Sequence, residues 1–159
     1  MFEIHEINEM NRSEISNLIE KNWGSTKMIT KGKVHFVDKL PGLIATVNNE
    51  IKGLITFEIN KGECEILSLD SFVENQGIGS SLLEKVVCIA AGQDCKRVWL
   101  ITTNDNTHAM RFYQKRGFNM VALHYNAVNK AREIKPEIPL KGFDDILICH
   151  EIEFEKVLL

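Results

Sequence analysis

The sequence turns from a predicted strand into a predicted helix at Glu74-Asn75-Gln76-Gly77-Ile78-Gly79-Ser80-Ser81. The strand covers residues 65–72 and the helix covers residues 80–91. Two glycines allow the backbone to turn tightly and to approach a ligand closely. Main-chain amides at a helix N-terminus, where the dipole is positive, form a site for phosphate or pyrophosphate. The stretch is therefore either a phosphate-binding loop or a plain strand-to-helix connection.

A second motif follows the next predicted strand and reads Thr103-Asn104-Asp105-Asn106-Thr107-His108-Ala109-Met110-Arg111-Phe112-Tyr113-Gln114-Lys115-Arg116-Gly117-Phe118. Asn106 is a good N-cap and Gly117 a good C-terminal stop, so a short helix is predicted over residues 106–116. Asn106, Ala109 and Tyr113 recur at helical spacing and share one face. On that face Tyr113 lies either in the core or at the edge of a cleft.

The two motifs are predicted to meet at one crevice. Only one helix separates the strand at 65–72 from the nearly all-apolar strand at 98–102, so the two strands are predicted to be parallel neighbours in a right-handed crossover. Ligands bind such units at the carboxyl ends of the strands. Both motifs begin at those ends.

The two motifs resemble those of the GNAT superfamily of acetyl-CoA-dependent N-acetyltransferases. The pyrophosphate loop of that family reads Q/R-x-x-G-x-G/A, and its later helix reads roughly N-x-x-A-x-x-x-Y-x-x-x-G-F. The matching positions in this chain are Gly77, Gly79, Asn106, Ala109, Tyr113, Gly117 and Phe118. Glu74 replaces Gln or Arg at the first loop position, which changes one side-chain contact but leaves the backbone cradle.

The resemblance implies a mixed α/β fold in a single N-acetyltransferase domain over residues 1–159. Its central sheet is expected to be mostly antiparallel, with about six or seven strands, a parallel pair and flanking helices. The residues themselves predict an antiparallel meander of three strands at 42–48, 51–60 and 64–72.

The remaining segments are predicted from their local patterns. Residues 2–7 alternate as a strand, and residues 11–22 carry apolar residues at helical spacing. Residues 23–33 are predicted to be irregular. Residues 126–143 are predicted to be a long loop, of the kind that often binds ligands, and residues 146–157 a final strand.

The resemblance implies acetyl-CoA as co-substrate, held by the end of the strand, the turn and the second motif. The implied cofactor-binding residues are Leu69, Asp70, Ser71, Gln76, Gly77, Ile78, Gly79, Ser80, Ser81 and Asn106. A backbone amide near Leu69 or Asp70 is expected to stabilise the oxyanion. Asn106 either forms a hydrogen bond to the cofactor or only caps its helix. For Asn104 and Asp105, the alternative to a contact with the cofactor is a role in shaping the loop.

Acyl transfer to an amine requires a base for the amine proton. The resemblance implies that this base is Glu65, with Glu63 and Asp70 as competitors. A carboxylate of pKa near ~4.3 is a poor base for an ammonium of pKa near ~10.4, so burial must raise its pKa or a water must relay the proton. The alternative for Glu65 is a solvated residue at the strand edge, or a partner for a lysine.

Tyr113 is the general acid that the resemblance implies for the departing thiolate. A phenol of pKa near ~10 stays protonated at neutral pH and donates to a thiolate of similar basicity at little cost. The alternative is a structural tyrosine packed beside Phe112.

The cysteines and histidines show no metal-binding spacing, so no metal is expected. None of the four cysteines lies in the two motifs, which predicts direct transfer through a ternary complex without an acyl-enzyme. Cys88 is expected to be a small core residue. Trp23, Asp38 and Arg132 are candidates for the acceptor side, each with surface or packing roles as the alternative.

The bulk properties exclude several classes of protein. The chain has 159 residues, 44% of them hydrophobic and 26% charged, with a net charge of -3. A nucleic-acid-binding protein is disfavoured because it usually carries a basic surplus. No apolar run is long enough to span a membrane, and the start lacks the features of a signal peptide, so a cytoplasmic protein is predicted.

The predicted acceptor is a small molecule with a primary amine. A protein N-terminus or lysine is the less favoured acceptor, and an acyl-CoA-binding or sensing module without turnover is the rival function. A homodimer is a possibility that only the resemblance suggests.

Overall fold

A computed structural model describes residues 1–74 and 76–158 of the chain. Asn75, which belongs to the predicted phosphate loop, lies outside the described residues. The chain forms two compact units: unit 1 comprises Met1–Met28, Phe36–Val98 and Leu158, and unit 2 comprises Ile29–His35 and Trp99–Val157. Within the described ranges, none of the helices is both long enough and apolar enough to cross a membrane.

Strands and helices alternate along the chain after an initial strand-rich half. In order they are β1 (Glu3–Glu6), α1 (Arg12–Trp23), β2 (Lys27–Thr30), β3 (Lys33–Phe36), β4 (Gly42–Val47), β5 (Glu50–Asn60), β6 (Glu63–Ser71), α2 (Ile78–Gly92), β7 (Arg97–Thr103), α3 (Thr107–Lys115), β8 (Asn119–His124), α4 (Ala127–Ile134) and β9 (Glu151–Val157).

Seven strands form a sheet in the order β1-β4-β5-β6-β7-β9-β8, and β2 and β3 form a separate two-stranded sheet. The pairs β1–β4, β4–β5, β5–β6 and β8–β9 are antiparallel. The predicted meander of three strands is therefore confirmed. The predicted fold class is confirmed too: a mixed α/β fold with a mostly antiparallel sheet of seven strands and a parallel pair.

Unit 1 buries an apolar cluster between α1 and the meander. Its members are Ile15, Ile19, Val37, Ile44 and Leu54. The first two lie four residues apart, on one face of α1, as the helical spacing predicts. This cluster identifies the α1 side of the meander.

The other side of the meander packs against α2. Gly53 of β5 permits close contact there, because a Cβ at this position would lie 2.4 Å from Cγ2 of Ile78. Ile78, Leu82 and Val86 are buried along the same face of α2. This packing brings the first turn of α2 close to β5.

The structure corrects four predictions about local structure. Residues 23–33, predicted to be irregular, include β2 and the start of β3, joined by a two-residue turn in which Lys31 and Gly32 both have positive φ. Residues 126–143, predicted to be a loop, contain α4, which ends before Pro136. The last strand begins at Glu151 instead of residue 146. Cys88, predicted to be in the core, is exposed.

Candidate active site

The turn between β6 and α2 presents a helix N-terminus. Its N-cap, Gly77, has φ 72° and ψ 13°, the left-handed conformation that glycine adopts without strain. Apart from its two chain neighbours, no atom of the described residues would lie within 4 Å of a Cβ at Gly77, so the space beside it is open to them. The first turn of α2 contains no acidic residue, so the positive end of the helix dipole is not neutralised there.

The first amides of α2 are the donors available to an anion. Ile78 and Gly79 precede the first residue with an intrahelical partner, because helical amides donate to a carbonyl four residues earlier. The Ser81 amide already donates to the Gly77 carbonyl at 3.0 Å. Because this amide is already engaged in the helix, the Ser81 hydroxyl is the group that we expect to reach a ligand.

The end of β6 lies directly before this turn. Leu69 pairs with Ile55 and Asp70 with Leu54 across the meander. The register shifts between Thr56 and the next residue of β5, because β6 has one extra residue there. Such bulges re-aim side chains and are common beside active sites.

Asp70 lies on the α1 side of the meander. Its cross-strand partner Leu54 belongs to the apolar cluster with α1, and residues that pair directly share a face of the sheet. Trp23, the last residue of α1, donates from Nε1 to Oδ2 of Asp70 at 3.2 Å. Burial raises the pKa of Asp70 to about 6, although the Trp23 hydrogen bond opposes this shift.

The two other carboxylates considered as the base lie in different surroundings. Glu63 forms an ion pair with Arg97 in which Oε1 and Nε are 2.7 Å apart. Glu65 is only 7% exposed and pairs with Glu58 on the neighbouring strand. The three carboxylates lie on one face of β6, because the residues opposite them share one face of β5, but their surroundings differ.

Unit 2 carries the second motif on α3. The Asn106 side chain accepts a hydrogen bond from the Ala109 amide at 3.0 Å, which confirms the predicted N-cap. Tyr113 is 8% exposed, and its ring contacts Phe112, Phe118 and Phe154 at centroid distances of 5.1, 5.6 and 6.3 Å. The ring is therefore fixed within an aromatic cluster.

Asn104 and Asp105 shape the loop before α3, as one of the alternatives predicted. Oδ1 of Asn104 accepts from the amides of Cys149 and His150 at 2.8 and 2.9 Å, and its Nδ2 donates to the Leu147 carbonyl. Asp105 is 3% exposed and accepts from the Thr103 hydroxyl and the Phe143 amide.

Two of the acceptor-side candidates have clear structural roles. Arg132 donates to the carbonyls of Ile138, Pro139 and Ile148 and to the Asn129 side chain. Its guanidinium therefore holds the segment after α4 in place. Oδ2 of Asp38 accepts from the Ser16 hydroxyl at 3.1 Å.

The contact between Trp23 and Asp70 could not be found from the sequence. The two residues are 47 positions apart, and no local pattern links a helix end to a strand end at that distance. The sequence makes Trp23 an acceptor-side candidate only because it lies in a stretch that is predicted to be irregular.

Burial raises the pKa of the Cys64 thiol to about 12. The thiolate is the nucleophilic form, so this protonated and fully buried thiol is a poor nucleophile.

Comparisons with known proteins extend the match beyond the two motifs. The model of the Acetyltransferase (GNAT) family matches residues 6–118. The uncharacterized protein YdhI of Bacillus subtilis (strain 168) is 45% identical over 152 residues, which cover 95% of each chain.

Solved structures share the fold. The IAA acetyltransferase from Bacillus cereus ATCC 14579 has a TM-score of 0.72 and 18% identity, over 99% of this chain and 100% of that one. A GNAT family acetyltransferase from Elizabethkingia anophelis with acetyl-CoA bound has a TM-score of 0.68 and 21% identity, over 99% and 98%. With the family model covering residues 6–118, the chain belongs to the GNAT family of acetyltransferases, the acetyl-CoA-dependent N-acyltransferases that its loop and helix resemble.

Proposed function

We propose that the protein transfers an acetyl group from acetyl-CoA directly to a primary amine of a small molecule. The observation that carries this proposal is the junction of β6 and α2. There the carboxylate of Asp70, whose pKa is raised towards neutrality, lies at the end of β6. One turn later α2 begins with Gly77 as its N-cap. An anion site and a base thus lie on neighbouring elements of unit 1.

The N-terminus of α2 suits the diphosphate of the coenzyme. The Ile78 and Gly79 amides lie at the N-terminus of α2, where no acidic residue of the first turn offsets the positive end of the helix dipole. The space beside Gly77 is open. Gln76 and Ser80 flank these amides, and Asn106 in unit 2 is the proposed contact for the cofactor arm. Bound acetyl-CoA supplies a thioester-activated acetyl group.

For the base, Asp70 fits better than Glu65. A general base works best with a pKa near the working pH, and the pKa of Asp70 is about 6. Its Oδ1 has no hydrogen-bond partner among the described residues, so this oxygen is available to an amine. Glu63 is held by Arg97, and the more deeply buried Glu65 lies beside Glu58.

For the acid, Tyr113 remains the proposed residue. The aromatic contacts of its ring restrict the direction in which the hydroxyl points. A restricted donor loses little entropy when it protonates the leaving thiolate.

A cytoplasmic location, a homodimer and a single domain over residues 1–159 stay predictions.

Replacing Tyr113 by Phe tests the acid role. We expect Tyr113→Phe to lower kcat about 100-fold, the usual scale of acid catalysis, and to leave the dissociation constant of acetyl-CoA within about twofold. Thiol release with a panel of amines measures the first, and calorimetry measures the second. Tyr125→Phe is the matched control, because Tyr125 is the chain's other tyrosine and is exposed.

The same experiment separates the enzyme from an acyl-CoA sensor. A sensor would bind acetyl-CoA, but no amine would accelerate thiol release. Full activity in Tyr113→Phe would remove the acid role and leave the transferase proposal to the amine panel. Acetylation of peptides but not of small amines would move the acceptor to a protein N-terminus or lysine.

A further inference from the structure

Trp23 exposes a large apolar surface beside the proposed base. It is the last residue of α1, which ends at Gly24 with φ 76°. Its side chain is 55% exposed although indole is among the largest apolar groups in proteins. An exposed tryptophan gains stability only when something else covers its ring.

The polar edge of the same ring is already engaged. The Nε1–H of Trp23 donates to Oδ2 of Asp70 at 3.2 Å, which orients both the indole and the carboxylate. Oδ1 of Asp70 has no partner in the described part of the chain. The pair therefore presents one carboxylate oxygen and one aromatic ring to the same side of the meander.

We propose that Trp23 selects acceptors whose primary amine is attached to an apolar carbon skeleton. This inference rests on the proposed function, since it assigns the acceptor class of that site. The ammonium donates to Oδ1 of Asp70 and then transfers one proton to it, so that an N–H bond breaks and an O–H bond forms. The neutral amine keeps the lone pair that attacks the acetyl group.

The indole ring favours hydrocarbon next to the amine. Apolar atoms placed on the ring leave water and gain dispersion contacts, and a cation at the ring's face gains further attraction. Hydroxyl groups at the same place would lose hydration without a partner on the ring, and the weak attraction between an exposed ring and a second ammonium would not offset the hydration that the ammonium loses. Amino sugars and short diamines are therefore expected to be poor acceptors.

The test compares the steady-state kinetics of four amines: 2-phenylethylamine, hexylamine, glucosamine and putrescine. We expect the first two to be the better acceptors. Trp23→Leu should raise their KM about 10-fold. Trp23→Phe, which loses the same hydrogen bond to Asp70 but keeps an aromatic ring, should return the KM most of the way to its original value. The dissociation constant of acetyl-CoA should stay the same in both variants.

Phe36→Leu is the matched control, because Phe36 is another half-exposed aromatic residue of unit 1. An unchanged KM in Trp23→Leu, an equal rise in Phe36→Leu, or a preference for glucosamine or putrescine overturns the inference while the proposed function stands. If none of the amines, including those of the wider panel, releases thiol from the unaltered protein, the proposed function fails and the inference fails with it.

Tryptophan fluorescence gives a second measurement should Trp23→Leu fail to fold. The chain has two tryptophans, so Trp99→Phe leaves Trp23 as the only tryptophan, which excitation at the red edge of the absorption band selects over the tyrosines. We expect the emission to change when 2-phenylethylamine saturates the CoA-bound protein. An unchanged emission at saturation contradicts contact between the amine and the ring.

Discussion

At the scale of single residues, the environment of Asp70 decides its chemistry. Burial disfavours its charged form and raises its pKa to about 6, while the Trp23 hydrogen bond stabilises the charge and limits that rise. The same side chain at an exposed position would have a pKa near ~3.9 and would be a weaker base. Its place at the end of β6 therefore makes Asp70 suitable for proton transfer.

The pH dependence of catalysis tests this role. We expect kcat/KM to fall about tenfold per pH unit below pH 6, because protonated Asp70 cannot accept a proton. In Asp70→Asn this acidic limb should disappear together with most of the activity. Glu50→Gln, which alters an exposed carboxylate paired with Lys52, should leave the limb in place.

Asp70→Asn, which should lower the activity, should raise the stability of the fold. Because the folded pKa lies above the unfolded value near 3.8, the native state binds more protons between pH 3.8 and about 6, and stability falls as pH rises through that window. At pH 7 Asp70→Asn should therefore be more stable, by about 1–2 kcal/mol in urea unfolding. A less stable variant would contradict the direction of the pKa shift.

At the scale of elements, side-chain hydrogen bonds connect the junction of β7 and α3 to the segment before β9. Asn104 binds the backbone of residues 147–150, and Asp105 binds the Phe143 amide. Gly142 allows this approach, because a Cβ there would overlap the Asp105 carboxylate. The start of α3, with its cap Asn106, is thereby held from outside the helix.

Two substitutions at Asp105 separate hydrogen bonding from charge. Asp105→Ala leaves the part-buried Phe143 amide and the Thr103 hydroxyl without their shared partner, so we expect a loss of about 1–2 kcal/mol in urea unfolding. Asp105→Asn should lose less than about 1 kcal/mol, because its amide oxygen still accepts and the Thr103 hydroxyl can accept in turn. Equal losses in both variants would show that the charge, and not the hydrogen bonds, matters.

At the scale of the whole molecule, coenzyme binding should raise the free energy of unfolding. A ligand at 100 times its dissociation constant stabilises a native protein by about 2.7 kcal/mol. In Gly77→Ala we expect a basal loss of about 1–2 kcal/mol from the left-handed conformation, and most of the stabilisation by acetyl-CoA should also be lost. Thermal unfolding with and without acetyl-CoA measures both.

Gly62→Ala separates backbone strain from ligand binding. Gly62 has φ 75° in the turn between β5 and β6, with nothing within 4 Å of an added Cβ, so its strain matches that at Gly77. This variant should show the same basal loss but keep the full response to acetyl-CoA. An equal response in the two variants would contradict a diphosphate site at the α2 N-terminus.

Short-range features of the fold could be predicted from the residues that form them. The Asn106 cap and the helical face of α1 depend on hydrogen bonds and side-chain spacing within a few positions. The turn at Lys31 and Gly32 has the same Lys-Gly sequence as the turn at Lys61 and Gly62 and similar positive φ angles, but residues 23–33 were predicted to be irregular. The loop prediction for residues 126–143 missed α4, which buries Val128 and Ala131 at helical spacing.

By itself the sequence determined the family, the order of most strands and helices, and the turn that begins at Gly77, because each depends on residues close together in the chain. Only the tertiary structure showed how the surroundings of the three candidate carboxylates differ. The pKa of Asp70 depends on burial beneath distant residues and on Trp23, 47 positions away, while Glu63 is engaged by Arg97. Solvation and charge act through space, so spacing along the chain does not reveal them.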